Sequence, residues 1–159
     1  MATLALAPIL ILTALAPAPT LKDTFESKYK QFNSSIAKGD QSAAAAWIKN
    51  NCSSKFSYTS YQKHKYKLDE FASGVAQQIQ TVSKVISSSM TIRTVEQHGD
   101  QAVVIVVSQF KGIVSIDSRR MTLTDASVSS DTWTKSGKDW KFLKSVQVNA
   151  DTQMHEQGD

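Results

Sequence analysis

Hydrophobic residues recur at helical spacing in the first half of the sequence. In the first stripe, apolar side chains follow one another at intervals of three or four residues: Leu21, Phe25, Tyr29, Phe32 and Ile36. This spacing places them all on one side of an α-helix. Thr20, followed three residues later by Asp23, predicts a capped N-terminus. Gly39 predicts the end of the helix, because glycine takes the left-handed conformation without a Cβ clash.

Two further helices are predicted. Asp40 is a typical N-cap for a short helix over residues 41–50, in which alanines favour helix formation and Trp47 would contact the core. Residues 55–59 alternate between polar and aromatic side chains and therefore predict a strand. A loop containing Lys63, Lys65 and Lys67 follows. Helical spacing then returns at Leu68, Phe71, Val75, Ile79 and Val82.

From Ser89 onward the hydrophobic pattern changes to strand-like alternation. Four strands are predicted, over residues 90–94, 102–107, 120–133 and 140–148. Turns at Gly99 and Gly137 would join them in hairpins. The uninterrupted apolar run over 102–107 predicts a strand buried on both faces, whereas the three serines at 87–89 predict a loop. On the last strand, one face is expected to carry Trp140, Phe142, Val146 and Val148.

The predicted elements follow the order ααβαββββ. Helices first and hairpin-connected strands afterwards indicate an α+β fold, with a curved antiparallel sheet wrapped around the helices. The chain of 159 residues is long enough for one domain with a single core. We assign this domain to residues 20–150 and interpret residues 151–159 as a frayed polar tail.

Residues 1–19 have the pattern of a signal peptide. Met1–Thr20 carry no charge, and the apolar run Ala5–Leu15 has the length of a signal-peptide core but is short for a membrane span. Small residues at alternate positions over 14–18 offer cleavage sites. The segment therefore predicts export to the periplasm or medium, with no stable membrane span after cleavage. An uncleaved anchor or a disordered leader remains the alternative.

Composition excludes several kinds of chemistry. Cys52 is the only cysteine, so no disulfide forms within the chain, and a lone cysteine after a helix is usually an inert buried thiol. The three histidines lack metal-ligand spacing, and no nucleotide-binding glycine motif occurs, so neither metal nor cofactor is expected. Residues 22–67 carry nine lysines against three acidic residues. This basic region indicates an anionic ligand or an ordinary solvated face, and it is too sparse to indicate nucleic-acid binding.

Four stretches resemble the nuclear transport factor 2-like superfamily, in particular its SnoaL-like and ketosteroid-isomerase-like branches. They are Phe32–Trp47 with its Gly-Asp junction, Phe56–Thr59, Asp100–Val107, and the hairpin from Thr132 through Gly137 to Trp140. The resemblance implies a cone-shaped, cystatin-like α+β fold whose open end holds a pocket. Family members use this pocket as isomerases, cyclases, dehydratases or hydrolases, or as binding and dimerisation modules, so the fold leaves the function open.

Four residues are candidate ligand contacts inside the implied cone. Tyr58, Tyr61 and Trp133 are expected to face its interior, where they would either stack against a small apolar ligand or fill the space completely. Gln109 lies in an apolar strand on the face of Val103. Its amide is interpreted either as facing a ligand or as lying beyond the buried part of the strand.

The catalytic acid implied by the resemblance is missing from its expected position. Catalytic relatives often carry an acid just after the first strand, in a Tyr-x-Asp pattern, but here Ser60 takes that place. Asp69 is the next acid, and Asp131 is expected only near the mouth of its strand. The interior of the cone is therefore expected to contain no group that readily donates or accepts a proton. We therefore predict a non-catalytic domain that binds a small hydrophobic ligand or forms a homodimer through its sheet. The alternative is a lyase or isomerase acting on a small hydrophobic carbonyl compound.

Overall fold

The computed structural model describes residues 19–116 and 119–156 of the chain. Residues 1–18, and with them nearly all of the predicted signal peptide, lie outside the described residues. The helices are α1 (Leu21–Lys38), α2 (Gln41–Asn51) and α3 (Leu68–Thr81). The strands are β1 (Cys52–Thr59), β2 (Lys65–Lys67), β3 (Val82–His98), β4 (Gln101–Ile116), β5 (Arg119–Ser136) and β6 (Asp139–Glu156). The α+β class is confirmed, and the observed order ααββαββββ adds the short β2 within the predicted lysine-rich loop.

The caps predicted from the sequence are present. Thr20 Oγ1 accepts the backbone N–H of Asp23 at 3.2 Å, while the Asp23 carboxylate accepts the backbone N–H of Thr20 at 2.9 Å, which forms the capping box of α1. Gly39 ends that helix with φ of +65°. The carboxylate of Asp40 accepts the N–H of Ala43 at 2.9 Å and starts α2. These local interactions fix where the two helices meet.

The six strands form one curved sheet in the order β2-β1-β6-β5-β4-β3. Every neighbouring pair is antiparallel except β1 and β6, which run parallel with Tyr58 opposite Ser145. The expectation of a wholly antiparallel sheet is therefore wrong at this pair. The hairpin at Gly137 folds β6 back along β5, and β1 then adds to the remaining edge of β6 in the same direction.

The strands are longer than the hydrophobic pattern predicts. Ser87–Ser89 pair with Gln109–Lys111 and belong to β3, so the predicted loop at this position is wrong. At the other end, residues 151–156 continue β6 and pair with β5 as far as Met121 opposite Glu156, where the sequence predicts a frayed tail. Backbone pairing across the sheet extends these polar segments as strand although they bury little apolar surface.

The core lies between the concave face of the sheet and the helices. Ala102, Val104 and Val106 are fully buried, whereas Val103 and Ile105, on the other face of β4, are only half-buried. The prediction of a strand buried on both faces is therefore wrong, because helices cover the concave face alone. Within residues 19–116 and 119–156, no helix is both long enough and apolar enough to cross a bilayer.

Candidate functional site

A cavity of about 510 Å³ lies between the helices and the concave face of the sheet. We call it the central cavity. Helices α1 and α3 cover it, and β3 to β6 form its opposite side, so its lining comes from most elements of the fold. The helical side is mainly aromatic and aliphatic, with Glu70 and Gln78 of α3 as polar members. The sheet side is largely polar and contributes Ser108, Asp125, Ser127, Ser129, Asp131 and Ser145.

Asp131 and Tyr29 form the polar floor of the central cavity. Tyr29 Oη donates to Asp131 Oδ2 at 2.6 Å, and Ser145 Oγ donates to Asp131 Oδ1 at 2.7 Å. Trp133 Nε1 in turn donates to Tyr29 Oη at 3.0 Å. All four residues are buried, and Asp131 is only 3% exposed. The floor is thus a continuous hydrogen-bonded network that joins α1 to β5 and β6.

Burial changes the acidity of both floor residues. Loss of solvation raises the pKa of Asp131 from 3.8 to about 6, although hydrogen bonds from Tyr29, Ser145 and Ser129 act in the opposite direction. Burial, followed by the nearby negative charge of Asp131, raises the pKa of Tyr29 well above its ordinary range. Asp131 can therefore change its protonation state near neutral pH, while Tyr29 stays a neutral phenol.

Two expectations about acids in the cone are consequently wrong. Asp131 was expected near the mouth of its strand, and the interior was expected to lack any group that exchanges a proton. The structure buries Asp131 because it shares the inward face of β5 with Trp133, which packs beneath α1. Strand alternation from the aromatic Trp133 to residue 131 is the sequence signal that indicates this position.

Ser145 was missed because β6 contains a bulge. The pairing of β6 with β5 shifts between Lys144 opposite Thr132 and Phe142 opposite Trp133, which leaves Leu143 as the extra residue. Phe142 and Ser145 therefore both point inward. The predicted common face of Trp140, Phe142, Val146 and Val148 is wrong beyond the bulge.

An aromatic group formed by Tyr58, Tyr66 and Phe71 borders the central cavity. The ring centroid of Tyr58 lies 5.8 Å from that of Tyr66 and 5.6 Å from that of Phe71. Tyr58 Oη donates to Gln147 Oε1 at 3.0 Å, and burial is the main cause of its raised pKa. Tyr58 is thus fixed at both its ring and its hydroxyl.

The structure brings only some of the predicted ligand contacts to the cavity. Tyr58 lines its wall, and Gln109 lies at its rim with an exposed side chain. Trp133 is fully buried in the core, where its ring stacks on Phe142 with 4.7 Å between ring centroids. It does not line the cavity, but it donates a hydrogen bond to Tyr29 in the cavity floor. Tyr61 is 50% exposed and does not line the cavity. Ser60 borders the cavity.

Neither thiol nor metal chemistry is indicated within the part of the chain that the structure describes. No three His, Cys, Asp or Glu side chains of residues 19–116 and 119–156 lie close enough together to hold a metal ion. Burial raises the pKa of the Cys52 thiol to about 12, so this cysteine is not a thiolate near neutral pH. The side chains that line the central cavity offer hydrogen bonding, apolar contact and proton exchange at Asp131.

Comparison with known sequences identifies no relative. No family model matches the chain, and no curated protein matches it.

Comparison with solved structures, in contrast, finds clear similarity. An NTF2-like protein from Cytophaga hutchinsonii has 12% identity and a TM-score of 0.63, with 81% of this chain and 98% of that chain covered. An NTF2-like protein of unknown function from Prochlorococcus has 12% identity and a TM-score of 0.64, with 89% and 97% covered. A domain of unknown function with a cystatin-like fold from Nostoc punctiforme has 16% identity and a TM-score of 0.60, with 82% and 78% covered.

These similarities concern the fold, since identities of 12–16% carry no information about a shared activity. They confirm the fold that the four sequence stretches implied. The chain has the nuclear transport factor 2-like fold.

Proposed function

We propose that the chain binds a small, mainly apolar molecule in the central cavity. The observation that carries this proposal is the cavity itself: its volume of about 510 Å³ falls within the range of roughly 300–1,000 Å³ typical of small-molecule sites. A core whose side chains filled the cone would leave no such space. We therefore adopt the interpretation that the interior aromatic residues border a pocket, and not the alternative that they fill the cone.

The distribution of lining residues supports an oriented ligand. Phe71 and Val75 of α3 offer apolar contact on one side, and the hydroxyls of Ser108 and Ser127 offer hydrogen bonds on the other. Such a division favours a ligand with an apolar body and a polar group directed toward the sheet.

Replacing a serine by phenylalanine on β5 tests the proposal. Ser127→Phe places a large ring in the cavity, whereas Ser130→Phe places the same ring on the opposite face of the same strand. Thermal-shift and isothermal titration measurements would be made with a panel of small aromatic and alicyclic compounds. We expect at least one compound to bind the wild type and the Ser130→Phe variant but not Ser127→Phe. Equal binding by all three proteins, or by none, would contradict the proposal.

A second candidate function is proton transfer in a lyase or isomerase acting on a small hydrophobic carbonyl compound. Asp131 favours it, because a buried carboxyl with a pKa of about 6 can act as a general base near neutral pH. Exchange of α-hydrogens for deuterium in a panel of cyclic ketones, followed by NMR, would detect such a base. We expect Asp131→Asn to abolish exchange while retaining ketone binding. Absence of exchange with ketones that demonstrably bind would exclude this function.

Self-association through the convex face of the sheet is compatible with either function. Alternation along β4 to β6 places a group of apolar side chains on that face: Val103, Ile105, Val107, Val128 and Val146. These side chains are half-buried, and Val148, the extra residue at a second bulge of β6, is 49% exposed. Light scattering should report a dimer for the wild type and a monomer for Ile105→Lys, whereas Gln97→Lys at the hairpin end should leave the dimer intact. A monomeric wild type would exclude this role.

Export remains a proposal based on the pattern of residues 1–19. Expression of the whole chain and mass spectrometry of the secreted product test it. A mature N-terminus within residues 15–20 is expected. A soluble product that retains Met1 would contradict cleavage.

A further inference from the structure

The charged side chains that line the central cavity are all acidic. They are Glu70, Asp125 and Asp131, and no lysine, arginine or histidine of the described residues lines it. The chain as a whole carries 18 basic against 14 acidic residues, so the cavity has the opposite charge to the protein around it. Lys65 and Lys67 on the neighbouring β2 are exposed. Because like charges repel in a site of low dielectric constant, this lining disfavours phosphate and carboxylate ligands.

Within residues 19–116 and 119–156, the hydrogen-bond partners of Asp131 are all neutral. Its carboxylate accepts the hydroxyls of Tyr29, Ser145 and Ser129, and no cation of these residues is among its partners. Lys28 does not line the cavity, and its ammonium contacts Asn51 Oδ1 at 2.8 Å and Asp139 Oδ1 at 3.0 Å. Buried charges in proteins are usually paired with an opposite charge. The floor of the cavity therefore favours a positively charged ligand over a neutral one.

The wall of the cavity is also suited to a cation. The ring centroid of Tyr58 lies within 6 Å of the ring centroids of both Tyr66 and Phe71. Asp125 lines the same cavity, and its negative charge acts on the Tyr58 hydroxyl. Ring faces attract ammonium groups, and an adjacent carboxylate adds a direct electrostatic attraction. The carboxylate of Asp125 and the rings of the aromatic group therefore line the same cavity.

We propose that the ligand of the central cavity is a small organic cation, a protonated amine carried on an apolar body. This inference rests on the proposed function, because it presumes that the cavity binds a small molecule. The ammonium would contact Asp125 and the ring of Tyr58, and the apolar body would occupy the space beside Val75 and Met90.

Three compounds with the same ring system and different charge test the inference. They are 2-naphthylmethylamine, 2-naphthalenemethanol and 2-naphthoate, each titrated into the protein at neutral pH and low salt and followed by calorimetry and saturation-transfer NMR. We expect the amine to bind at least about tenfold more tightly than the alcohol, a difference of about 1.4 kcal/mol, and the carboxylate not to bind. Raising the salt concentration should weaken binding of the amine but not of the alcohol.

Two asparagine variants locate the charge effect. Asp125→Asn should reduce amine affinity at least about tenfold and change alcohol affinity much less, because the alcohol carries no charge. Asp151→Asn, on the exposed end of the neighbouring β6, should change neither. Equal affinity for amine, alcohol and carboxylate would overturn the amine proposal while supporting a binding cavity. If none of the three compounds binds but another member of the wider panel does, the amine proposal fails and the proposed function stands. If no compound binds at all, both fail.

Discussion

Tyr29 donates a hydrogen bond of 2.6 Å from its hydroxyl to Asp131, a residue 102 positions later in the chain. The bond joins α1 to β5 at the floor of the central cavity. The Tyr29 oxygen also accepts from Trp133 Nε1 at 3.0 Å, so a single phenol satisfies two buried polar groups. The same atoms that define the polar end of the cavity therefore also hold α1 on the sheet.

Removing the Tyr29 hydroxyl should destabilise the fold. Tyr29→Phe leaves the buried Trp133 N–H without its acceptor and deprives Asp131 of one donor. We expect a loss of about 1–3 kcal/mol in the free energy of unfolding, measured by urea denaturation. Tyr61→Phe, at a half-exposed tyrosine, is the matched control and should change it by less than about 0.5 kcal/mol. Similar values for the two variants would show that the network contributes nothing.

Asp131 should make stability depend on pH in the acid range. Its pKa is about 6 in the folded protein and about 3.8 when exposed, so between these values the folded state binds more protons than the unfolded state. The stabilisation is therefore complete below about pH 4 and is lost as the pH rises through 6. At about 1.4 kcal/mol per pKa unit, the total is on the order of 3 kcal/mol.

The variant Asp131→Asn isolates this contribution. Asparagine stays neutral, so the difference in unfolding free energy between wild type and variant should fall between pH 4 and pH 6 and be constant above pH 7. Asp23 and Asp139 have lowered pKa values in the folded protein, so they make stability depend on pH in the opposite direction. This contribution is the same in wild type and variant and cancels in the difference between them. A difference independent of pH would mean that Asp131 titrates in the folded protein as it does in the unfolded one.

Two glycine-to-alanine changes should have opposite effects. Gly74 lies inside α3, and a Cβ there would meet no atom within 4 Å, so Gly74→Ala should stabilise the protein by about 0.5–1 kcal/mol. At Gly112 a Cβ would lie 2.8 Å from the ring of Phe110 and 3.0 Å from the carbonyl oxygen of Lys84. Gly112→Ala should therefore destabilise by about 1–3 kcal/mol. Thermal denaturation by circular dichroism measures both, and a shift of the same sign in the two variants would contradict this account.

Lys28 should contribute more to stability than other lysines of α1. Its side chain is 13% exposed, pairs with Asp139 and Asn51, and places its ammonium 5.7 Å from the centre of the Trp133 ring. Lys28→Met keeps the methylenes but removes these contacts, and we expect a loss of about 1–2 kcal/mol. Lys22→Met breaks only a solvent-exposed pair with Glu26 and should cost less than about 0.5 kcal/mol. Chemical denaturation measures both unfolding free energies. Equal losses in Lys28→Met and Lys22→Met would show that the contacts of Lys28 stabilise the fold no more than an exposed ion pair does.

Local patterns predicted the helices well because their signals lie within a few residues of one another. The Thr20–Asp23 capping box, the Asp40 N-cap and the left-handed Gly39 are all contacts between near neighbours. The apolar stripe from Leu21 to Ile36 likewise needs only helical periodicity. The hairpin glycines were predictable for the same reason, with φ of +59° at Gly99 and +63° at Gly137.

The candidate site was less predictable because it depends on contacts between distant parts of the chain. The bulge at Leu143 arises from the pairing of β6 with β5 and reverses the inward face, so alternation alone assigns Val146 rather than Ser145 to the interior. The inward position of Asp131 is indicated by its alternation with Trp133 on β5, but its hydrogen bond from Tyr29, 102 positions earlier, lies outside any local window. The position of Tyr58 in the pocket could be predicted from its strand, but its hydrogen bond to Gln147 could not, because the two residues are 89 positions apart.

The parallel pairing of β1 with β6 has a consequence for the timing of folding. β1 leaves the ribosome early, yet its main sheet neighbour is β6, and residues 60–138 separate Thr59 from Asp139. β1 and β2 therefore cannot join the rest of the sheet until β6 has been synthesised. A large loop must close before β1 pairs with β6. Nascent chains should hold α1 and α2 early, with the sheet completed in a late, concerted step.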